Sequence, residues 1–449
     1  MRSIVVGAGV LGFNLARRLS RENHSVVVVD HDEAKVRHAQ ESLDVGVVHG
    51  QGSGPSVLLE AGLEQADMLV AVTGSDETNI VACLIAQTLN HEVVRIARLR
   101  DPAYLGPQGI IHKAALDVQL VISPEQEVAH SVGLLAAVPG ASDVLDFVGG
   151  RVKVVGVRID PGSPLDGKPI SAIRWLAEEQ ALLAGVYREE MVYAPSTDMR
   201  LAGVDTLFIV TTQESTRRVV TRLGKRWVRT RHVMIAGGGR RGVAIAKHLS
   251  AVGVHTRIID PDAALCERLV EEVGESVVLC GDPLDQDLLR DEGAGRTDLF
   301  VGATNDEQQS VFAALLAKHL GARRVVALVD TPNHVPFALR IGVDVVLSPM
   351  LTALGPLLQF VRRGEVVSVS TLREELVEGI EFIASADSEI VGLPLGLLRM
   401  PRGSLVGAIV RDEQIIIPDG NSVIQQGDRV VLFARPQLIP RLQRLVART

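Results

Sequence analysis

Short apolar runs rich in β-branched residues recur through the first 123 residues, separated by longer polar or amphipathic stretches. The runs at 4–6, 26–29, 45–48, 68–72, 93–99 and 118–122 have strand length, and the stretches at 13–19, 31–42, 56–61 and 79–89 have helical character. Strands alternating with helices at this spacing predict a doubly wound parallel sheet. The same pattern restarts near residue 232, so the expected fold class is α/β, with two Rossmann-like sheets.

The first apolar run ends in a GxGxxG, spelled Gly7, Ala8, Gly9, Val10, Leu11, Gly12, and the second ends at Asp30. Gly7 allows a tight turn, Gly9 has no Cβ to hold a pyrophosphate away from the helix N-terminus, and Gly12 lets helix and strand approach closely. An acidic residue ending the next strand can bond ribose hydroxyls. The copy beginning at Val233 carries Gly237, Gly238, Gly239, Arg240, Arg241 and Gly242 and ends at Asp260, a constant shift of 230. Both stretches are expected to bind a nucleotide.

Ligands of such sheets sit beyond the carboxyl ends of the strands. In the first half those ends bring up Gly52 and Ser53, then Thr73 and Asp76, then Arg98 and Arg100; in the second they bring up Gly281, Asp282, Thr304 and Asp306. Thr73, Ser75 and Asp76 have another reading, as caps of the helix that follows. Arg98 and Arg100 flank Leu99, so strand periodicity sets them on one face, where fixed cations suit phosphate oxygens. Ion pairs with Asp101 or with a neighbouring subunit are the alternative. The second half has Leu328 and Asp330 at the matching positions, so the two sites are not electrostatically equivalent.

After each sheet comes a helical stretch with an apolar stripe, Val128, Val132 and Leu135 in the first half and Leu351, Leu354 and Leu358 in the second. Such a helix can pack on its own domain or cross to a partner. Past Gly149 and Gly150 the character changes: 152–159 alternates, and 182–186, 191–193 and 206–210 are short strand-like runs of a small α+β module. Residues 188–205 return at 411–428 with a constant shift of 223. The expected division is a nucleotide-binding domain at 1–123, a crossover helix and linker at 124–140, a small module at 141–225, a second nucleotide-binding domain at 231–348, a crossover helix at 349–364 and a second small module at 365–449. One duplication explains all of it, and a duplicated chain can make by itself the pseudo-symmetric contact that a single copy makes by dimerising.

The net charge of −8 is spread along the chain and aromatic residues are 3%, which argues against nucleic acid as a partner. The basic segment 216–231 reads as a solvated helix and linker, or as a contact for anionic lipid or an acidic partner. Cys83, Cys266 and Cys280 show no metal or redox spacing and read as buried thiols in a reducing compartment. Met1 and Arg2 run straight into the first strand, and no apolar run approaches the roughly eighteen residues of a membrane span, so the expected location is cytosolic unless a partner recruits the chain to a membrane. None of the twelve histidines sits in a recognisable catalytic motif, and no P-loop, HExxH or GxSxG is present. No catalytic residue or metal ligand is assigned.

With GxGxxG…D, Thr73-x-x-Asp76-Glu77-x-Asn79, the arginine-bearing strand RIARLRDP and the Ser123-Pro124-Glu125 triplet, the chain resembles the TrkA family over its whole length. The resemblance implies tandem KTN/RCK_N domains, each followed by a TrkA-C (RCK_C) domain. It implies a cytosolic, NAD-binding regulatory subunit, peripheral on the inner face of the cell membrane and docked on a potassium translocator of the TrkH type. It further implies a homo-oligomer, either a dimer forming a four-lobed ring or a tetramer, whose nucleotide state biases its conformation. The cofactor implied is NAD⁺ or NADH, with ATP or ADP as an option at the first site. The second half departs from the pattern, with Asp306-Glu307-Gln308-Gln309 in place of the DETN of the first, so the ATP or ADP option is kept to the first site. The competing readings are an NAD(P)-dependent oxidoreductase and a nucleotide-sensing regulator of another cation transporter or antiporter.

Overall fold

The computed structural model describes residues 1–104, 118–362, 366–373 and 376–446. Residues 105–117 of the expected first domain, 363–364 of the crossover segment, and 365, 374–375 and 447–449 of the second small module lie outside the described residues. The chain forms two compact units, Met1–Glu127 with Pro349–Phe360, and Val128–Ser348 with Val361–Thr449.

In the first unit β1 (Arg2–Val6), α1 (Val10–Arg21), β2 (Ser25–Asp30), α2 (Glu33–Ser42), β3 (Gly46–His49), α3 (Pro55–Glu60), β4 (Met68–Ala71), α4 (Asp76–Leu89), β5 (Val94–Arg98) and β6 (Leu120–Ile122) follow in order. The sheet order is β3-β2-β1-β4-β5-β6, parallel throughout, with Val5 level with Val28 and Val70. Strands this apolar need cover on both faces, and the helices supply it: Ile4, Val6, Leu69 and Ala71 pack with Ala82 and Ala86 of α4. The order reverses between β1 and β4, which opens a crevice at their carboxyl ends.

The second unit takes α5 (Pro124–Ala137) from Val128 onward. It continues through β7 (Asp143–Phe147), β8 (Val152–Arg158), β9 (Ala181–Arg188), β10 (Met191–Tyr193), β11 (Thr206–Thr212) and α6 (Thr216–Arg222). Next come β12 (His232–Ala236), α7 (Arg240–Ala251), β13 (His255–Asp260), α8 (Ala263–Glu272), β14 (Val277–Cys280), α9 (Gln286–Asp291), β15 (Leu299–Gly302), α10 (Glu307–His319), β16 (Val325–Leu328), α11 (Val335–Arg340) and β17 (Val345–Leu347). The parallel order β14-β13-β12-β15-β16-β17 repeats that of the first unit. After α12 (Pro349–Thr352) and α13 (Leu354–Val361), which belong to the first unit through Phe360, the second small module has β18 (Val366–Leu372), β19 (Val377–Ile383), β20 (Ser404–Arg411), β21 (Gln414–Ile416), β22 (Arg429–Ala434) and α14 (Ile439–Val446). The small modules are antiparallel sheets ordered β10-β9-β11-β8-β7 and β18-β19-β22-β20-β21. Strand β7 has no counterpart in the sequence reading, because Asp143 and Asp146 interrupt its apolar pattern.

Each helix after a parallel sheet packs with the opposite half. Helix α12 lies against α1 within the first unit. In the second unit Val128, Val132 and Leu135 of α5 join a core with Val243, Ala246 and Leu249 of α7. The approach is close, since a Cβ at Gly133 would stand 2.4 Å from His248 Nε2. Arg324 donates from Nη1 to Leu135 O at 2.9 Å and from Nη2 to Ala141 O, placing a cation at the carboxyl end of α5. Both apolar stripes are consumed inside the chain: Leu354 and Leu358 are buried as well, with Leu351 half-buried.

Within the second unit the two small modules pack on one another. Phe147 meets Phe433 edge to face with centroids 5.8 Å apart, beside Phe208, Val210 and Val431. The Val148 N–H donates to Glu381 Oε2 at 2.8 Å, and Arg373 pairs with Asp143 at 2.9 Å. The repeat seen in sequence has a structural cause, because Arg188 forks onto buried Asp205 at 2.7 Å and Arg411 onto Asp428 at 2.8–2.9 Å, one such pair closing each module. The basic segment is partly neutralised at home: Arg218 and Arg222 reach Glu179, and Lys225 reaches Asp160.

Candidate functional site

The glycines of the two motifs do different work. Gly7 and Gly237 turn the chain at φ +106° and +110°, in the region that favours glycine. A Cβ on Gly12 would lie 1.8 Å from Gly7 O, and one on Gly242 would lie 1.9 Å from Gly237 O, so these two are demanded by the fold itself. Gly9 is unlike them. It is exposed, its backbone is extended at φ −68° and ψ −176°, and among the described residues a Cβ built on it meets no atom within 4 Å. Gly239 meets only Asn305, at an ordinary 3.5 Å. Nothing among the described residues requires glycine at position 9, and they leave the space in front of it open.

That space lies at the N-terminus of α1, over the Val10, Leu11 and Gly12 amides. Helices α2 and α4 close their own N-termini with Asp32 and Ser75 side chains and carry acids in their first turns. Helix α1 has no side-chain cap and no acid there, and neither has α7, whose first residues are exposed Arg240 and half-buried Arg241. An uncapped helix N-terminus facing open space suits an anionic group such as a pyrophosphate. The residues fit a dinucleotide on this structural ground alone.

Asp30 stands beside that opening. It is 7% exposed; Oδ2 accepts from the Ala8 N–H at 2.6 Å and Oδ1 from the Asp32 N–H at 2.9 Å, with His31 Nδ1 at 3.2 Å. Asp260 repeats the arrangement with Gly238 N–H at 2.7 Å and Asp262 N–H at 3.0 Å. The backbone of each glycine turn therefore holds the carboxylate at the strand end, aimed by fixed bonds rather than by a free rotamer. His31 was not singled out by sequence, and Pro261 stands in its place in the second half.

On the facing strands, Thr73 is tied to Asn79, with Oγ1 to Oδ1 at 2.7 Å and the Thr73 N–H to Oδ1 at 2.9 Å, while Asn79 Nδ2 reaches Arg98 O at 2.8 Å. Fully buried Asn79 thus braces the ends of β4 and β5, a role the sequence reading had not assigned to it. Ser75 caps α4. Asp76 takes N–H bonds from Arg100 and Asp101 at 3.0 and 2.9 Å, and Arg100 Nε stands 3.4 Å from its Oδ1, with Nη2 on Gly74 O. Asp76 and Arg100 are therefore partners, as are the corresponding elements of the second half in a different guise. There Asp330 holds Arg241 in a two-pronged pair at 2.8 and 3.0 Å. Where the first half has Leu11 and Arg100, the second has Arg241 and Asp330, so the sign of the charge has moved from one wall of the crevice to the other.

Strand register corrects the sequence alignment of the second site. Val27 pairs with Gly46 and Arg257 with Val277, so one extra residue precedes β14 and the shift becomes 231. Gly281 and Asp282 therefore match Gly50 and Gln51. The amides agree: Gly50 N–H and Gly281 N–H both donate at 2.9 Å, to Asp30 O and Asp260 O. Gly52 is a packing glycine, since a Cβ there would meet Val6 Cγ1 at 2.1 Å, and Ser53 is half-buried beside it. Asp306 matches Ser75, not Asp76, and caps α10 through the Gln308 and Gln309 N–H groups. Glu307 is the counterpart of Asp76: its Oε2 accepts from the Asp330 and Thr331 N–H groups at 2.9 Å, and His334 Nδ1 stands 2.6 Å from Oε1. Burial works against its charge, but the Thr331 amide and His334 outweigh it and hold the carboxyl below its usual range. Thr304 bonds Ser310, which replaces Asn79.

Comparison with known proteins places these features in a family. The TrkA-N domain model matches residues 3–124 and 233–349, and the TrkA-C domain model matches 154–224 and 380–447. The Trk system potassium uptake protein TrkA of Vibrio alginolyticus is 36% identical over 438 residues, 96% of this chain and 95% of that protein. That of Halomonas elongata is 36% identical over 437 residues, with the same coverage of 96% and 95%. Among solved structures, the crystal structure of the GsuK RCK domain superposes with a TM-score of 0.61 at 22% identity, covering 100% of this chain and 95% of that one. The GsuK channel bound to NAD gives 0.60 at 22%, covering 100% and 79%. At that identity the two structures speak for the fold.

Proposed function

The chain belongs to the TrkA family, and from that premise we propose that it is a cytosolic regulatory subunit of a potassium uptake system, binding a nucleotide in each half and docking on a membrane translocator of the TrkH type. The open space before Gly9 at the uncapped end of α1 carries this reading. A dinucleotide pyrophosphate lies there on the amides that follow Gly9, and in the second half on those that follow Gly239, with Asp30 and Asp260 on the ribose hydroxyls. The carboxylates disfavour a 2′-phosphate, so NAD⁺ or NADH is taken over the NADP forms. The first site, with Arg98 and Arg100 on the β5 side, accepts ADP or ATP as well; the second, with Leu328 and Asp330, does not.

The relative solved with NAD bound shares this fold and supports the cofactor class. Nucleotide-binding domains at 1–123 and 231–348 and small modules at 141–225 and 365–449 assemble as a homo-oligomeric ring on the inner membrane face. Among the described residues no helix is long and apolar enough to cross a membrane. Nucleotide regulates transport by binding one conformation of the ring better than another. Mass spectrometry of nucleotides released from purified, denatured protein tests the reading: NAD⁺ or NADH is expected, and a protein that releases no nucleotide and takes up none of NAD⁺, NADH, ADP or ATP would contradict it.

A further inference from the structure

The second half carries two thiols that the first half lacks. Cys266, on α8, is buried, and its Sγ donates to Asp260 O at 3.3 Å and reaches toward Leu279 O at 4.0 Å. Cys280 ends β14, pairs in register with Asp260 and is exposed. Cys266 Sγ, within reach of Asp260 O and Leu279 O, therefore lies beside the end of β14 where Cys280 stands. By the shifts of 230 and 231, the first half has Val36 and His49 in their places. Asp260 binds this pair into the nucleotide crevice: its backbone oxygen accepts from Cys266 and from the Gly281 N–H, and its carboxylate holds the Gly238 N–H and the N–H of Asp262, the cap of α8.

We propose that Cys266 and Cys280 form a reversible dithiol–disulfide site that reacts with low-molecular-weight disulfides, and that its oxidation weakens nucleotide binding at the second site alone. Exposed Cys280 is the attacking thiol. Cys266 is the resolving one, since burial and the neighbouring thiol push it up to about 11. The Cys280 thiolate attacks one sulfur of RS–SR, forming a Cys280–SR mixed disulfide and releasing RS⁻, which takes up a proton. Cys266 then loses its proton and attacks the Cys280 sulfur, closing the protein disulfide and releasing the second RS⁻, which leaves as RSH. Two protein thiols are oxidised and one external disulfide is reduced to two thiols. Closure draws the two sulfurs together to an S–S bond of about 2.05 Å. It removes the S–H donor from Asp260 O and draws α8 toward the end of β14, displacing the carboxylate that is tied to the cap of α8. This coupling rests on the reading of Asp260 as ribose ligand, whereas the disulfide itself does not.

The full chain, incubated with oxidised glutathione and digested without reduction, should yield a peptide linked through Cys266 and Cys280, with buried Cys83 unmodified. Cys266→Ser should stop at a glutathione adduct on Cys280, and Cys280→Ser should not react. No modification, or an adduct that persists on wild-type Cys280, would overturn the proposal. In calorimetry with NADH, oxidised wild type should lose at least about tenfold affinity at one of two sites, recover with dithiothreitol, and differ from an insensitive Cys280→Ser. A linked peptide with both affinities unchanged would overturn the coupling. Absence of second-site binding in the reduced protein would instead refute the nucleotide reading and leave the disulfide standing.

Discussion

Substituting Gly9 and Gly12 in parallel separates a glycine kept for a ligand from one kept for the fold. At Gly9 an added side chain meets no atom of the described residues within 4 Å and the backbone is already extended, so Gly9→Ala has no steric cost there. Lower entropy of the unfolded chain stabilises it by about 0.4–1 kcal/mol, a poorer helix cap opposes that by a similar amount, and net stability should stay within about 1 kcal/mol of wild type. Gly9→Val fills the pyrophosphate space instead. Losing even two charge-assisted amide bonds of about 1.5 kcal/mol each costs about 3 kcal/mol, roughly a hundredfold in affinity. Gly12→Ala drives a Cβ to 1.8 Å from Gly7 O, so α1 must lift off β1, at or above the upper end of the about 1–3 kcal/mol that overpacking costs. Calorimetric titration with NADH and urea unfolding of the three variants provide the readouts. Wild-type NADH affinity at both sites in Gly9→Val would refute the argument, and so would a Gly9→Ala variant as unstable as Gly12→Ala.

Three other substitutions probe other parts of the account. Asp330→Ala frees Arg241 from its two-pronged pair, and titration with NADH should then show second-site affinity raised about tenfold, one charge-assisted bond's worth; no change would mean that Arg241 does not face the ligand. Phe433→Ala empties the edge-to-face contact between the small modules and should cost about 3–5 kcal/mol in urea unfolding. Because the folded-state pKa of Glu307 lies below 4.5, its ionised form contributes stability that is whole above pH 4.5 and is lost as pH falls through the depressed value. Glu307→Gln should therefore flatten the acid limb of a stability–pH curve below 4.5, and an unchanged limb would show that its amide bonds carry no linkage.

Much of the fold was legible because it rests on local chemistry. Apolar runs of strand length, glycines at fixed spacing and an acid at the next strand end are all readable residue by residue, and the duplication confirms them by repetition. What escaped were features set by register and by contact. The extra residue before β14 leaves the apolar pattern intact, so it takes strand pairing to show that Asp306 corresponds to Ser75 and not to Asp76. Asn79 was visible as part of a motif, but its work, joining Thr73 to Arg98 O across two strand ends, depends on a distance of nineteen residues in sequence. The charge exchange between Leu11 with Arg100 and Arg241 with Asp330 involves two segments that sequence inspection treats separately. The destination of helix α5 was equally hidden, since an apolar stripe says that a face is covered and not by what.

The central claim is that nucleotide occupancy of these sites regulates potassium transport, and potassium uptake at limiting external potassium tests it most directly. A strain deleted for this gene, with no second copy, should lose uptake and regain it with the wild-type gene. The chain carrying Gly9→Val and Gly239→Val together, confirmed to accumulate and fold, should restore uptake whose rate no longer follows the cell's nucleotide state. Uptake unaffected by the deletion, or a doubly substituted chain regulated like wild type, would contradict the account.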